Sequence, residues 1–349
     1  MPSPAESNPQ DVAAASHAHH ASVSLAKPWA ALVTVQLLFG SLPAISKFAI
    51  AEVSPQVIVI CRSLTATLVF ALLCAFRGTP ASRAALWKRA RALPLRFHAQ
   101  LACLALLGVS VNQSLLFYAL QRTTSAAAAI LAPNIALFAL VISIALGRER
   151  FSFAKGANIV LGSAGVLLLF APHLAGVADA RSAVGNLMCT ASAFCYASFL
   201  ALSPPFIART GPLLFNLLAF LYASVAGILI YFALTGMSPL AVPAQIALTV
   251  PTLSRAFWWA LAFIVIGATV VTYLLNAYAL GRLPPGVVGG LVCSQTVVGV
   301  LLSHALVGED MPFEYFIAMA LVLSGVLVLW VSNLRENAQA RHRAVVKSG

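Results

Sequence analysis

Tyr118-Ala119-Leu120-Gln121-Arg122 recurs as Tyr278-Ala279-Leu280-Gly281-Arg282, an offset of 160 residues. Without a gap the same offset carries Ala145-Leu146 onto Ala305-Leu306, Glu149 onto Glu309, and Gly165-Val166-Leu167 onto Gly325-Val326-Leu327. Nearer the N-terminus an offset of 157 aligns Ser54-Pro55 with Gly211-Pro212, so a short insertion separates two registers. The repeated unit is strongly apolar, and internal repeats of membrane helices are the mark of secondary transporters.

Hydrophobic residues make up 61% of the chain and charged residues 9%, with a mean hydropathy of +0.94. A soluble domain of this length needs more charge to cover its surface. Apolar runs of ~20 residues cross a hydrocarbon core of ~30 Å, and only helices satisfy their own backbone there. The sequence therefore predicts an all-α integral membrane protein with ten transmembrane helices. The spans run over roughly 29–51, 55–76, 98–120, 124–146, 153–171, 185–203, 212–234, 256–280, 284–306 and 312–333. Joints such as Gln121 to Thr123 and Gly281 to Leu283 must be tight hairpins. This divides the chain into a disordered tail (1–28), a first five-helix repeat (29–171), a second (185–333) and a basic tail (334–349).

Lys and Arg set the orientation. Arg77, Arg83, Lys88, Arg89, Arg91 and Arg96 follow the second span without an acid. Arg148, Arg150 and Lys155 follow the fourth, and Arg335, Arg341, Arg343 and Lys347 lie in the tail. All fall on one side, so both termini are expected to be cytoplasmic. The net charge of +12 then reflects this asymmetry and contact with anionic headgroups; nucleic-acid binding is disfavoured because the basic residues sit on short loops. Residues 1–26 carry no signal-peptide pattern, and the His17-Ala18-His19-His20 cluster reads as solvated low-complexity tail. The six cysteines lie inside spans without a CxxC pair and read as packing residues.

Five spans per repeat is an odd number, so the second copy enters the membrane from the opposite side. Two inverted halves supply two arrangements of similar energy, which is the basis of alternating access. Ser125 to Ala129 matches Pro285 to Gly290 across the repeat, placing small residues where helices cross closely. The fifth and tenth spans are almost wholly apolar and read as facing lipid or, in a homodimer, a second copy.

Polar residues inside spans are costly in hydrocarbon and normally face the bundle interior. They nominate Asn112, Gln113, Asn134, Tyr196, Tyr273, Asn276, Ser294 and Gln295 for substrate contact, with Pro133 freeing a carbonyl beside Asn134. Two cations join them. Arg62 lies seven residues beyond Pro55, ~10 Å along its helix, and needs a partner: a carbonyl, water or an anionic group. Lys47 lies near the outer end of the first span and can snorkel. No acid falls in the middle of a span, and His304 alone has an ordinary pKa suited to proton coupling, so coupling to protons is disfavoured. There is no Gly-rich phosphate loop for ATP, no cofactor is expected, and the scattered acids supply no cluster of the kind an integral-membrane enzyme needs.

Asn112-Gln113 through Tyr118-Ala119-Leu120, the run Ser125 to Ala129, Pro133 and Leu146-Gly147-Arg148-Glu149 together resemble the EamA-type drug/metabolite transporter superfamily. Phe39-Gly40-Ser41, Lys47, Ser54-Pro55 and Arg62 also stand where that family commonly has an aromatic-Gly-Ser, a Lys, a Pro and an Arg. The resemblance covers about 29–333 and implies ten spans in two repeats moving a small-molecule substrate. Pro204 and Ala219 replace the Lys and Arg in the second half, so any ligand role of those cations is asymmetric. The expected function is secondary transport of a small metabolite, with export of an amino-acid-like or aromatic compound across the bacterial inner membrane. A passive facilitator or scramblase of the same fold is the alternative.

Overall fold

The computed structural model describes residues 9–348, leaving aside 77, 149–150, 175–178, 238–248 and 281–292. Its described residues form helices, turns and no strands. The first is α1 (Pro9–Ile50), which begins within the stretch that the sequence assigns to a tail; its side chains are described from Lys27 onward. α2 (Pro55–Phe76) opens on a proline, whose missing amide costs nothing in a first turn. A basic connecting helix, α3 (Pro80–Arg91), leads to α4 (Leu95–Ala105), which continues through a π-helical stretch, Leu106–Val111, into α5 (Asn112–Leu120). α6 (Ser125–Leu131) and α7 (Asn134–Ala145) are one apolar rod broken at Pro133. α8 (Phe153–Leu174), α9 (Ala180–Leu202), α10 (Pro204–Thr210) and α11 (Pro212–Thr235) follow. α12 (Arg255–Ala262) passes through a second π stretch, Phe263–Val271, into α13 (Thr272–Leu280). α14 (Cys293–Leu302) and the long α15 (Phe313–Ser348) complete the chain.

Eight of these helical rods are long and apolar enough to cross a membrane, and two shorter apolar helices, Phe153–Leu169 and Ser294–Val307, accompany them. The chain is therefore a multi-pass membrane protein. The hairpin at Gln121-Arg122 is as tight as expected, closed by bonds from the Arg122 and Thr123 amides to Ala119 O at 2.7 and 2.8 Å. Its repeat mate, Gly281 to Leu283, lies outside the described residues, as do Glu149 and Pro285 to Gly290.

Packing explains why small residues recur. Gly299 of α14 sits where a Cβ would lie 2.5 Å from Ala129 Cβ of α6 and 2.9 Å from Gly40 O of α1, so three helices meet at three small residues. α2 packs along α11, and α8 along α15. In the second pair Gly165 abuts Val322 and Gly325 abuts Leu161. One face of each apolar helix is thus buried against the other inside the chain, where the sequence suggested outward contacts only. Val160, Leu167 and Leu327 remain exposed on the opposite faces.

At Gly108, in the first π stretch, an added Cβ would lie 2.1 Å from the Cβ of Phe199 on α9, an atom with no freedom to turn away. At Gly267, in the second, the nearest atoms stand at 3.5 Å. Gly108→Ala is expected to cost ~1–3 kcal/mol by overpacking and to lower the Tm in detergent, whereas Gly267→Ala leaves it near wild type. Equal Tm values for the two variants would refute this packing.

Candidate functional site

The most demanding group in the bundle is Arg62 on α2, only 4% exposed. Its Nε donates to Thr269 Oγ1 at 2.5 Å, Nη1 to Gln113 Oε1 at 2.6 Å and Nη2 to the Ala268 carbonyl at 2.9 Å. Thr269 and Ala268 belong to the second π stretch, where the wider turn displaces carbonyls from the α-helical ladder. The network runs on: Gln113 Nε2 donates to Asn112 Oδ1 at 2.6 Å, and Asn112 Nδ2 donates to Ser192 O at 2.8 Å and Oγ at 2.9 Å. Ser192 Oγ returns a bond to Asn112 O at 2.9 Å. One guanidinium therefore ties α2, α5, α9 and the α12–α13 rod together.

Every one of these partners is neutral. Among the described residues no carboxylate lies within ion-pair distance of Arg62. A buried charge left with neutral partners keeps a strong field in a medium of low polarisability. The guanidinium has five N–H donors, so the donors engaged above do not exhaust it. Tyr196 and Tyr273 lie close enough to interact electrostatically with it and with each other. Tyr273 meets Phe220 edge-on at 5.1 Å and Phe70 at 6.4 Å, and Tyr196 stacks on Phe199 at 6.2 Å. The chemistry gathered here, a fixed cation beside aromatic rings, suits a planar or aromatic group carrying negative charge.

The remaining sequence-nominated residues divide. Asn112, Gln113, Tyr196 and Tyr273 join Arg62. Gln295 does not: its Nε2 donates to the buried Gln36 Oε1 at 2.5 Å, joining α14 to α1. Asn134 donates to Leu131 O at 3.0 Å across the Pro133 break, and its Oδ1 has no donor among the described residues. Ser294 is half-buried on α14, and the Asn276 side chain lies outside the description.

Lys47 marks one end of the bundle. Its Nζ donates to Thr123 O at 2.7 Å and stands 3.7 Å from Glu309 Oε1. Glu309 accepts the Ser125 and Ala126 amides at 2.7 and 3.0 Å, so it caps α6 from the other half of the chain. Gly308, with φ of 72°, makes the left-handed turn that brings Glu309 back. Glu52 does the reciprocal job, accepting the Ser254 amide at 2.8 Å and the Ser254 hydroxyl at the start of α12. Beside this latch, Lys47, Arg122 and Arg181 line a cavity of ≈ 690 Å³ without an acid in its wall.

Sequence reasoning missed the pairing of Lys47 with Glu309, and it missed the cross-half caps, because the partners are 262 and 184 residues apart respectively in order of mention, Lys47 to Glu309 and Ser125 to Glu309. It also missed Gln36, Ser192 and Gln56, whose Nε2 donates to Gly227 O at 2.9 Å while Oε1 accepts from Ser114 at 2.7 Å. Their only signal was polarity inside an apolar run.

Two outcomes follow from the latch. Glu309→Gln removes a charged acceptor from two amides and a lysine and is expected to lower stability by ~1–3 kcal/mol, read as a fall in Tm. The Ser254 bonds hold the Glu52 carboxyl below its ordinary value of about 4.5. Its contribution is thus fully present above that value and is lost as pH falls through the lower folded one. Ser254→Ala should flatten this acid limb of the Tm–pH curve; an unchanged limb would place the effect elsewhere.

Comparison with known proteins fits this picture. The profile of the EamA-like transporter family matches residues 28–171 and again 183–331. An "Uncharacterized transporter" of Clostridium kluyveri (strain ATCC 8527 / DSM 555 / NBRC 12016 / NCIMB 10680 / K1) is 22% identical over 239 residues, covering 68% of this chain and 73% of its own. A protein of known crystal structure shares the fold at a TM-score of 0.58 and 19% identity, over 89% of this chain and 98% of that one. With two successive matches across most of its length, the chain is a membrane transporter that belongs to the EamA-like transporter family.

Proposed function

We propose that this transporter works by alternating access between two inverted five-helix repeats, ten spans in all, and exports a small amino-acid-like or aromatic metabolite across the bacterial inner membrane, both termini facing the cytoplasm. The single observation that carries the reading is Arg62, a buried cation whose partners among the described residues are all neutral. The charge that completes it is the substrate's, a carboxylate or similar anion, with Tyr196 and Tyr273 against the substrate's apolar part. Asn112 and Gln113 orient the guanidinium; Lys47, Asn134, Asn276, Ser294 and Gln295 belong to the pathway, and Lys47 also closes one end.

The repeat reading is supported by pairing and by local geometry. α2 lies on α11 and α8 on α15, which are repeat mates at offsets of 157 and 160. Two of the three π stretches, Leu106–Val111 and Phe263–Val271, overlap in the same register; the third, Ser303–Val307, follows α14. The cation-lined cavity at the Lys47 end supports an anionic cargo, since clefts of one sign concentrate the opposite charge. Export and the inner membrane rest on the family resemblance. A second copy docks, on this reading, through the exposed faces of α8 and α15.

The purified protein, challenged with amino acids and aromatic carboxylates and with their neutral amides, should be thermally stabilised by some carboxylates and by none of the amides. Arg62→Lys keeps the charge and loses the planar fork, so affinity per folded molecule should fall by ~1–3 kcal/mol, over and above the Tm lost with the broken helix ties. Lost stability with unchanged affinity per folded molecule would leave Arg62 a tie between helices. For topology, cysteines introduced at Ala340 and Asp310 should label from opposite sides of intact cells once native thiols are removed. Same-side labelling would end the inverted-repeat reading.

A further inference from the structure

At the end opposite Lys47 the structure holds a second cavity, of ≈ 680 Å³, that shares no residue with the Arg62 site. Its water-side wall is Arg148 and Arg209, with no acid among its described lining residues. Arg148 donates to Ala201 O at the end of α9, which pins its guanidinium at the mouth. Arg209 projects from α10, on the far side of Phe206, whose ring packs on Phe97 at 5.2 Å.

From this charged mouth the cavity runs inward along α4 past Cys103 and Leu104 to Leu107, with Leu202 opposite. Phe97 to Leu107 is ten residues, ~15 Å of helix, or about half the thickness of the hydrocarbon layer. Cys103 is exposed on this face, as is the neighbouring Leu106 at 39%, so the groove opens sideways. A substrate path would lead to polar groups at its inner end; past Gln100, one turn in from Phe97, this groove is lined by Cys103, Leu104 and Leu107 to its end. Two cations at the water boundary above an apolar channel of that depth match a phosphate headgroup above an acyl chain. The adjoining α3 adds exposed Lys88, Arg89 and Arg91 at the same end, each able to draw anionic surface toward it.

We propose that the groove between α4 and the end of α9 is a binding site for one anionic phospholipid, its phosphate between Arg148 and Arg209 and one acyl chain along Cys103, Leu104 and Leu107. The lipid wedges α4 against the α9–α10 corner and so favours one packing of that corner over another.

Native mass spectrometry of the full chain, delipidated and then offered equal phosphatidylglycerol and phosphatidylcholine in neutral detergent, tests this. One phosphatidylglycerol should be retained with a preference of about thirtyfold, the scale of two arginines at an anionic surface. Arg148→Gln with Arg209→Gln should abolish the preference. Cys103→Trp, which fills the groove and leaves both charges, should also release the lipid, and it decides the matter if the double variant does not fold. Lys88→Gln with Arg91→Gln, a charge-matched control on α3, should retain it. Equal retention of the two lipids, loss of preference in the α3 control to the same degree, or retention by Cys103→Trp would each overturn the proposal. Displacement of the lipid by millimolar inorganic phosphate would also overturn it, because the mouth would then be a site for a small anion.

Discussion

A guanidinium cannot be neutralised by giving up its proton at any relevant pH, so a protein that buries one must surround it with acceptors. Arg62 is surrounded by acceptors contributed by both halves of the chain: Gln113 from the first, and Thr269 with the Ala268 carbonyl from the second. The second π stretch makes this arrangement available, since a regular helix keeps such carbonyls in its own ladder. The rest of the bundle interior follows from that demand. Asn112 and Ser192 hold Gln113, which holds Arg62. The aromatic rings of Tyr273, Phe220 and Phe70 close the space around it.

The Lys47 end is organised on a different principle. There the acids cap helices belonging to the other half, the largely covered Glu309 on α6 and the exposed Glu52 on α12. Helix N-termini carry unpaired amides and partial positive charge, so each carboxylate joins the halves without needing a cation. Lys47 then adds its charge to Glu309. The Glu52 contact lies open to solvent, while the Lys47–Glu309 pair is largely covered; on the proposed alternating-access reading both part when this end opens. The Arg62 network lies where exchange with solvent is costly. On the proposed reading the two tiers serve different tasks, a releasable closure and a fixed recognition point.

The membrane character and the family were legible in the sequence, because apolar length and repeat spacing survive without side-chain detail. The crossing of α1, α6 and α14 was legible in part: the small-residue run at Ser125 to Ala129 signalled close approach, and Gly40 and Gly299 supplied the partners. The central cluster was half legible. Arg62, Asn112, Gln113, Tyr196 and Tyr273 stood out as polar groups in apolar helices, yet nothing in their spacing separated them from Gln295, which pairs with Gln36 instead. The π stretches were not legible at all, since an inserted residue in a helical turn leaves no compositional trace in Leu106–Val111 or Phe263–Val271. The carboxylate caps were hidden for another reason. Glu309 and Glu52 sit in loops, where sequence periodicity is silent and only the fold brings distant amides within reach.

The account's central claim is that Arg62 awaits a negative group carried by the substrate. A structure of the protein in lipid nanodiscs with a heavy-atom-labelled aromatic acid, 4-bromobenzoate, tests it most directly. The account places the carboxylate in hydrogen-bond contact with the Arg62 guanidinium and the bromine among the rings of Tyr196, Tyr273 and Phe220. A carboxylate bound elsewhere, with the Arg62 bonds to Gln113, Thr269 and Ala268 unchanged, would contradict it.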